Sequence, residues 1–280
     1  MRRYARFAGA ALLAIAMVVS AGCSAEPEEP KLEPKVAPPA IGTAGVLKAG
    51  VDLDTPPFAG EDAGQQAGLD IDVAAAVAEQ LGLRVQYVDV KPSEAATALA
   101  DGSADVVLSV PLNDAGLTAM SLAGSYVLDG PALFISTDST ASVEPSLTID
   151  TLLPLKVGAQ EGSESFWALK SEFGIEWIKP YASLKEGIEA LEKGDIDAMA
   201  GDALVGGYII RDFPNVHLAG QLAPAMPLTA AVTADNAELG DSIRAAMDQL
   251  AADGVFEALR GKWVGGLPEL QGAEEETETP

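Results

Sequence analysis

The sequence predicts an α/β protein with two lobes joined by two crossing segments. Short apolar runs, typical of buried strands, alternate with stretches whose apolar residues recur every three or four positions, typical of helices packed on a sheet. The alternation runs from Val46 to Ser136 and starts again at Lys156. Two apolar runs, Leu133–Ser136 and Leu228–Thr233, stand where the chain would pass between the two sets.

The first set begins with a strand at Val46–Val51 and a helix at Leu69–Leu81. Apolar residues at every fourth position define this helix, and Gly82 ends it. A strand at Leu83–Val90, a helix at Ala95–Leu99 and a buried strand at Asp105–Val110 follow.

The second set is predicted on the same grounds. Its strands are Lys156–Ala159, Trp177–Lys179, Ala198–Ala200 and Val216–Leu218, and its helices are Ser165–Phe173, Leu184–Lys193 and Ala203–Arg211. The chain then closes with helices at Leu239–Leu250 and Phe256–Trp263.

The N-terminus has the organisation of a secretory signal. A basic start is followed by the uncharged run Phe7–Val19, then by small residues before Cys23. Thirteen apolar residues extend only about 20 Å as a helix, less than the roughly 30 Å of a bilayer core, so a membrane anchor helix is the weaker alternative. We expect a lipoprotein signal over residues 1–22.

Cys23 is the only cysteine of the chain, so no intramolecular disulfide can form. The small-small-Cys ending resembles a bacterial lipobox, which implies lipidation at Cys23 and a membrane-anchored protein on the extracytoplasmic face. Ser20 stands where that motif prefers Leu. A free thiol after ordinary signal cleavage is the alternative.

The composition changes sharply at both ends. Residues 23–44 are rich in Pro and Glu and lack an apolar period, which predicts a flexible tether. Residues 266–280 end in an acidic run, which predicts a disordered tail.

The formal net charge of −25 excludes a function based on nucleic acid, which is bound by basic residues. No Cys/His metal set or Gly-x-Ser-x-Gly elbow occurs, so we expect neither cofactor nor metal. The only histidine, His217, lies in a predicted strand and is interpreted as structural.

Three stretches resemble the type II periplasmic solute-binding proteins of family 3, the polar amino-acid branch. Their order and spacing span Val46 to Gly265. They are Gly50–Phe58 with Gly68–Val73, then Leu191–Asp202, and finally Asp235–Leu239 with Leu250, Asp253–Phe256 and Lys262-Trp263.

The resemblance implies a two-lobed periplasmic-binding-protein-like II fold with two crossover hinge strands. Lobe 1 would comprise residues 45–130 and 234–265, lobe 2 residues 139–225, and the hinges about 131–138 and 226–233. It also implies a monomeric receptor that closes on a small polar solute in the interlobe cleft and delivers it to an ABC permease with its ATPase. Clefts between domains are common ligand sites in α/β proteins.

The resemblance places candidate ligand contacts on lobe 1 at Asp52, Thr55, Phe58 and Ser109. Asp52 follows the first strand, where family members hold cationic groups of the ligand; an Asp that caps the turn is the alternative. Thr55 stands where members often have an aromatic residue.

On lobe 2 the candidates are Asp202, Gly162 and Ser163. The family's aspartate at the position of Asp202 binds the ligand's α-ammonium group; the alternative is a helix N-cap. Gly162 and Ser163 precede a helix whose free N–H groups can hold an anion, although Glu164 stands where the family has Thr.

The largest departure from the family follows Asp105. Asp114 and Leu117 replace the Thr and Arg of the motif that clamps the ligand's α-carboxylate, and Val110 and Leu112 replace polar pocket positions. We therefore expect an amine-bearing ligand, or an amino acid whose carboxylate rests on the backbone near Gly162.

Two other functions are open on the same fold. A receptor that senses its ligand without transporting it fits the missing Arg. A dehydratase-like enzyme is the less favoured alternative, because no base with an oriented nucleophile is evident.

Overall fold

The strands of the protein form two five-stranded sheets and a small hairpin. The computed structural model describes residues 33–112, 118–137, 152, 155–171, 174 and 177–272. In chain order the strands are β1 (Val46–Val51), β2 (Gly60–Asp62), β3 (Gln65–Ala67), β4 (Arg84–Asp89), β5 (Val106–Pro111), β6 (Met120–Asp129), β7 (Pro131–Ser136), β8 (Val157–Gln160), β9 (Lys179–Tyr181), β10 (Ala198–Asp202), β11 (Val216–Gln221) and β12 (Met226–Thr233).

Each large sheet is the core of one lobe. The first has the order β4-β1-β5-β12-β6 and the second β11-β7-β10-β8-β9. In the first, β1 is parallel to β4 and β5, while β12 is antiparallel to its neighbours. In the second, β8 is parallel to β9 and β10, while β7 is antiparallel to β10 and β11. The predicted two-lobed α/β fold is confirmed.

Helices cover the sheets in both lobes. They are α1 (Leu69–Gln80), α2 (Ala95–Ala100), α3 (Glu164–Ser171), α4 (Leu184–Glu192), α5 (Ala203–Ile209), α6 (Ala237–Ala252) and α7 (Val255–Val264), with short 3₁₀ turns at Pro92–Glu94 and Ile210–Asp212. Asp72 on α1 forms hydrogen bonds with two residues of α7. Its Oδ2 accepts from Lys262 Nζ at 2.6 Å and from Trp263 Nε1 at 2.7 Å. Two separated stretches of the family resemblance therefore meet at one contact.

The chain crosses between the lobes at Gly130 and at residues 222–225. The segments predicted as hinges, 131–138 and 226–233, contain β7 and β12 instead, and each of these strands lies within a sheet. An apolar run is expected for a crossing segment and for a buried strand alike. The prediction therefore placed both crossings a few residues C-terminal to their positions in the structure. The crossings are neighbours, since Met226 pairs with Asp129 and Leu222 N–H donates to the Pro131 carbonyl at 2.8 Å.

Part of the predicted tether is packed on lobe 1, so the tether prediction is wrong for residues 33–44. Val36 and Ile41 are 3% and 1% exposed, and Lys35 N–H donates to the Leu81 carbonyl at 2.9 Å. Asn236 Nδ2 also donates to the Ala40 carbonyl at 2.8 Å. Extended proline-rich chain can follow a surface and bury its few apolar side chains, which composition alone does not reveal. Residues 23–32, including Cys23, lie outside the described residues.

The start of the predicted acidic tail is also ordered, so that prediction is wrong for residues 266–272. Leu267 and Leu270 are 5% and 7% exposed. The Gln271 carbonyl accepts from Ala225 N–H at 2.9 Å, and Gln271 N–H donates to Gln221 Oε1 at 2.7 Å. This segment, named the C-terminal strap (266–272), runs beside the second crossing. Residues 273–280 lie outside the described residues.

A matched pair of glycines tests the packing of lobe 2. A methyl group at Gly206 in α5 would overlap the ring of Phe134, and one at Gly187 in α4 would overlap the end of Met199. Both substitutions gain the helix propensity of alanine. Phe134 and Met199 are both fully buried, but the Phe134 ring is rigid whereas the end of a Met side chain can adopt another rotamer. We expect Gly206→Ala to lower the free energy of unfolding by about 2 kcal/mol and Gly187→Ala by less than about 1 kcal/mol. Urea unfolding of both variants checks this, and equal losses would contradict it.

Candidate functional site

Asp52 and Lys91 form an ion pair where two neighbouring parallel strands end. Asp52 follows β1 and Lys91 lies two residues after β4, and Lys91 Nζ is 2.6 Å from Asp52 Oδ1. The same ammonium is 3.7 Å from Asp54 Oδ2 and 3.9 Å from Asp89 Oδ1. Burial raises the pKa of Asp52, but the Lys91 ammonium, the Asp54 N–H and the Thr55 side chain outweigh it and lower that pKa. The charge of Asp52 is thus already balanced within the protein.

Thr55 and Phe58 shape the turn after Asp52. The Thr55 carbonyl accepts hydrogen bonds from Phe58 N–H at 2.9 Å and Ala59 N–H at 3.1 Å. The Thr55 side chain is partly buried beside Asp52. The Phe58 side chain is 9% exposed and belongs to the large hydrophobic cluster of the protein. In this structure Phe58 packs in the core.

Ser109 is part of a buried polar network with Asp70 and Tyr126. Its Oγ donates to Asp70 Oδ2 at 2.7 Å, its N–H donates to the Tyr126 hydroxyl at 2.9 Å, and that hydroxyl donates to Asp70 Oδ1 at 2.6 Å. Burial raises the pKa of Asp70 to about 6 despite these two donors. Ser109 has a φ of 55°, the left-handed region that non-glycine residues rarely adopt. The network therefore holds the unusual backbone within β5.

Asp202 ends β10, and its side chain makes no capping hydrogen bond with α5. The cap is supplied from the other lobe: Asp129 Oδ1, at the end of β6, accepts from Leu204 N–H at 3.0 Å and from Gly130 N–H at 2.8 Å. This leaves the carboxylate of Asp202 available at the junction of the lobes. The hydrogen bonds therefore do not support a side-chain N-cap role for Asp202.

Asp129 and Asp202 at this junction, together with the exposed Glu164, influence one another through their charges and are called the acidic cluster here. Burial raises the pKa of Asp202 to about 6, and the charge of Glu164 adds to the increase. Burial raises the pKa of Asp129 to about 7, and the charges of Asp202 and Glu164 act in the same direction. The ion pairs of the described residues involve none of these three carboxylates. The cluster attracts a cation.

Gly162 and Ser163 form the turn between β8 and α3. Gly162 is exposed and has a φ of 77°, which favours glycine. Ser163 Oγ accepts from Phe166 N–H at 3.1 Å, and Ser163 N–H donates to the Gln160 carbonyl at 3.1 Å. Ser163 is therefore the cap of α3, and the hydroxyl already has a hydrogen bond within the protein.

Comparisons with known proteins agree with this architecture. The family model of the bacterial extracellular solute-binding proteins, family 3, matches residues 47–266. The chain belongs to this family. It is 24% identical over 184 residues to the glutamate-binding protein GluB of Corynebacterium efficiens, covering 62% of the chain and 60% of the relative. It is 26% identical over 140 residues to the putative ABC transporter arginine-binding protein 2 of Escherichia coli, covering 48% of the chain and 56% of the relative.

The chain thus spans about three fifths of the length of these two relatives. Among solved structures, the ancestral cationic amino acid solute-binding protein AncCDT-1 superposes with a TM-score of 0.70 at 26% identity. That match covers 79% of the chain and 96% of AncCDT-1. The likeness extends over both lobes.

The positions that depart from the pattern of this solute-binding family follow Asp105. Asp114 and Leu117, which replace the family's Thr and Arg, lie outside the described residues. Of the neighbouring positions, Val110 is fully buried and Leu112 is 46% exposed. No helix in the described ranges has the length and apolarity to cross a membrane. No group of His, Cys, Asp and Glu among the described residues is arranged to hold a metal ion.

Two features of the candidate site in this family member were not predicted from the sequence. Asp129 was not considered, because its cap on α5 joins residues 75 positions apart. The Asp52–Lys91 pair was also missed, although adjacent parallel strands end at both residues, a signal that the sequence does carry. The structure brings Asp202 and Glu164 together with Asp129, whereas Asp52 is neutralised by Lys91.

Proposed function

We propose that this protein is the extracytoplasmic receptor of an ABC importer and captures an amino acid or related amine-bearing solute between its lobes. The observation that carries the proposal is the acidic cluster of Asp129, Asp202 and Glu164, which has no cationic partner among the described residues. A ligand ammonium beside Asp202 would supply the missing positive charge and make a charge-assisted hydrogen bond.

The ligand's carboxylate has two possible partners on this chain. Lys91 is 41% exposed and can exchange Asp52 for a ligand carboxylate, or the carboxylate can rest on the backbone at Gly162. Relatives are named as binding proteins for glutamate, arginine and cationic amino acids, which supports an amino-acid-like solute and a binding role without catalysis. Export and lipid attachment at Cys23 complete the proposal.

Calorimetric titration with arginine, its amide argininamide and its decarboxylated form agmatine tests the proposed ligand class. We expect Asp202→Asn to weaken binding of whichever of the three binds by about thirtyfold, because it removes a charge-assisted hydrogen bond. Binding to the unaltered protein should weaken as pH falls through 6, since protonation of Asp202 removes the negative charge.

Asp241→Asn is the control, because Asp241 is exposed on α6 and should leave the affinity unchanged. Tighter binding of glutamate than of the three amines, abolished by Lys91→Ala and untouched by Asp202→Asn, would overturn the proposed ligand class. If none of these compounds binds, the proposed ligand class is also contradicted.

A further inference from the structure

A surface cavity lies away from the acidic cluster, between lobe 2 and the end of lobe 1. Its volume is about 300 Å³, at the lower end of the range for small-molecule sites. One wall comes from the 3₁₀ turn after α5 and from β11, and the other from the end of α7 and the C-terminal strap. Its apolar lining includes Ile210, Phe213, Val264 and Leu267, and its polar lining includes Arg211 and His217.

Arg211 gives this cavity a positive charge, and it makes no ion pair within the described residues. Its Nη1 donates to the Trp263 carbonyl at 3.0 Å, and its guanidinium lies 5.3 Å from the centre of the Tyr208 ring. Ion pairs in the described part of the chain do not include Arg211 or Lys185. Lys185 lines an adjoining cavity of about 220 Å³, together with Arg211, Tyr208, Phe213 and Asp212.

His217 adds a hydrogen-bond donor to the same cavity. Its Nδ1 is buried and has no hydrogen-bond partner within the described residues. A buried N–H without an acceptor is rare in proteins, so the favoured neutral tautomer has its hydrogen on Nε2. Since Nδ1 is sealed from solvent, the ring edge that lines the cavity is the one that carries Nε2. An N–H on Nε2 can donate to a ligand in the cavity that His217 lines.

We propose that this cavity is a second binding site, for a small carboxylate with an apolar body. Arg211 and His217 would hold the carboxylate oxygens, and the side chains of Ile210, Phe213 and Leu267 would surround the apolar part. This site shares no residue with the acidic cluster, which selects the opposite charge. A negative result for this second site would therefore leave the proposed receptor function unaffected, and the reverse also holds.

Titration of 4-fluorobenzoate into the purified full-length protein, followed by ¹⁹F NMR, tests the site. We expect a dissociation constant of about 1 mM, appropriate for so small a ligand. Neutral 4-fluorobenzamide should not bind measurably, because it lacks the charge that Arg211 recognises. Arg211→Gln should weaken 4-fluorobenzoate binding about tenfold, the effect of losing one hydrogen bond to a charged group.

Arg244→Gln is the matched control, because Arg244 is exposed and also donates to a backbone carbonyl, that of Leu122 at 2.8 Å. Arg244→Gln and Asp202→Asn should both leave 4-fluorobenzoate binding unchanged. The proposal is overturned by equal weakening in the two arginine variants, by equal binding of the amide, or by no binding up to about 10 mM.

Discussion

Ending the chain at Gly265 is expected to lower the free energy of unfolding by about 5 kcal/mol, while ending it at Gly272 should change it by less than about 0.5 kcal/mol. The longer truncation removes Leu267 and Leu270, which are 5% and 7% exposed, and burial of each leucine contributes about 1.5–3 kcal/mol. It also removes the hydrogen bonds of Gln271 with Ala225 and Gln221. The shorter truncation removes eight residues that contain no large apolar side chain.

Urea unfolding followed by tryptophan fluorescence measures both truncations, because the chain retains its three tryptophans in each. Similar midpoints for the two truncated proteins would show that the C-terminal strap contributes nothing to stability. A lower midpoint with an unchanged slope is the expected result for the chain that ends at Gly265.

Asp129→Asn is expected to raise the free energy of unfolding at pH 7.5 by on the order of 3 kcal/mol in the absence of ligand. The pKa of Asp129 is about 7 in the folded protein, above the ordinary value of 3.8, because burial and the charges of Asp202 and Glu164 disfavour ionisation. The folded state therefore holds the proton more tightly than the unfolded state. The stability provided by the protonated carboxyl is complete below about pH 4 and is lost as pH rises through 7.

Asparagine keeps the oxygen that accepts from Leu204 and Gly130 but carries no charge at any pH. The gain from Asp129→Asn should consequently fall to about 1 kcal/mol at pH 4.5, where Asp129 is protonated in the folded protein but still largely ionised in the unfolded chain. Thermal unfolding at the two pH values measures the difference, and about 3 kcal/mol corresponds to roughly 9 °C for a chain of this size.

Asp105→Asn is the control for this experiment, because Asp105 also accepts two backbone hydrogen bonds, from Gly42 at 2.9 Å and Lys48 at 2.8 Å. This control should give no gain at pH 7.5. A gain from Asp129→Asn of the same size at both pH values would mean that packing, and not charge, is responsible.

Helices were predictable from the sequence where one apolar face repeats. Helix α1 begins at Leu69 as predicted and ends within one residue of the prediction. Strand β6, in contrast, was not predicted at all. Its register with β12 shifts at two places, so extra residues near Gly124 and Tyr126 interrupt the alternation by which a strand is recognised.

One candidate site residue could be proposed from the sequence because a strand end marks it. Asp202 was proposed from the family resemblance and from its position after a buried strand, and in the structure its side chain does not cap the helix. That arrangement depends on Asp129, whose contact with α5 joins two lobes and has no local pattern. The polar composition predicted flexible segments at both chain ends. Both segments nevertheless contain buried apolar side chains, namely Val36, Ile41, Leu267 and Leu270.

Three backbone segments meet between the lobes: Gly130, the chain around Ala225, and the end of the C-terminal strap at Gly272, which forms a bridge with Ala225. Because these segments lie side by side, they form a flat connection between the lobes. Such a connection bends readily perpendicular to its plane but resists twisting and resists shear within its plane. We therefore expect relative motion of the lobes to be restricted to opening and closing along nearly one arc, so that the proposed solute would meet the same opposing side chains at each closure.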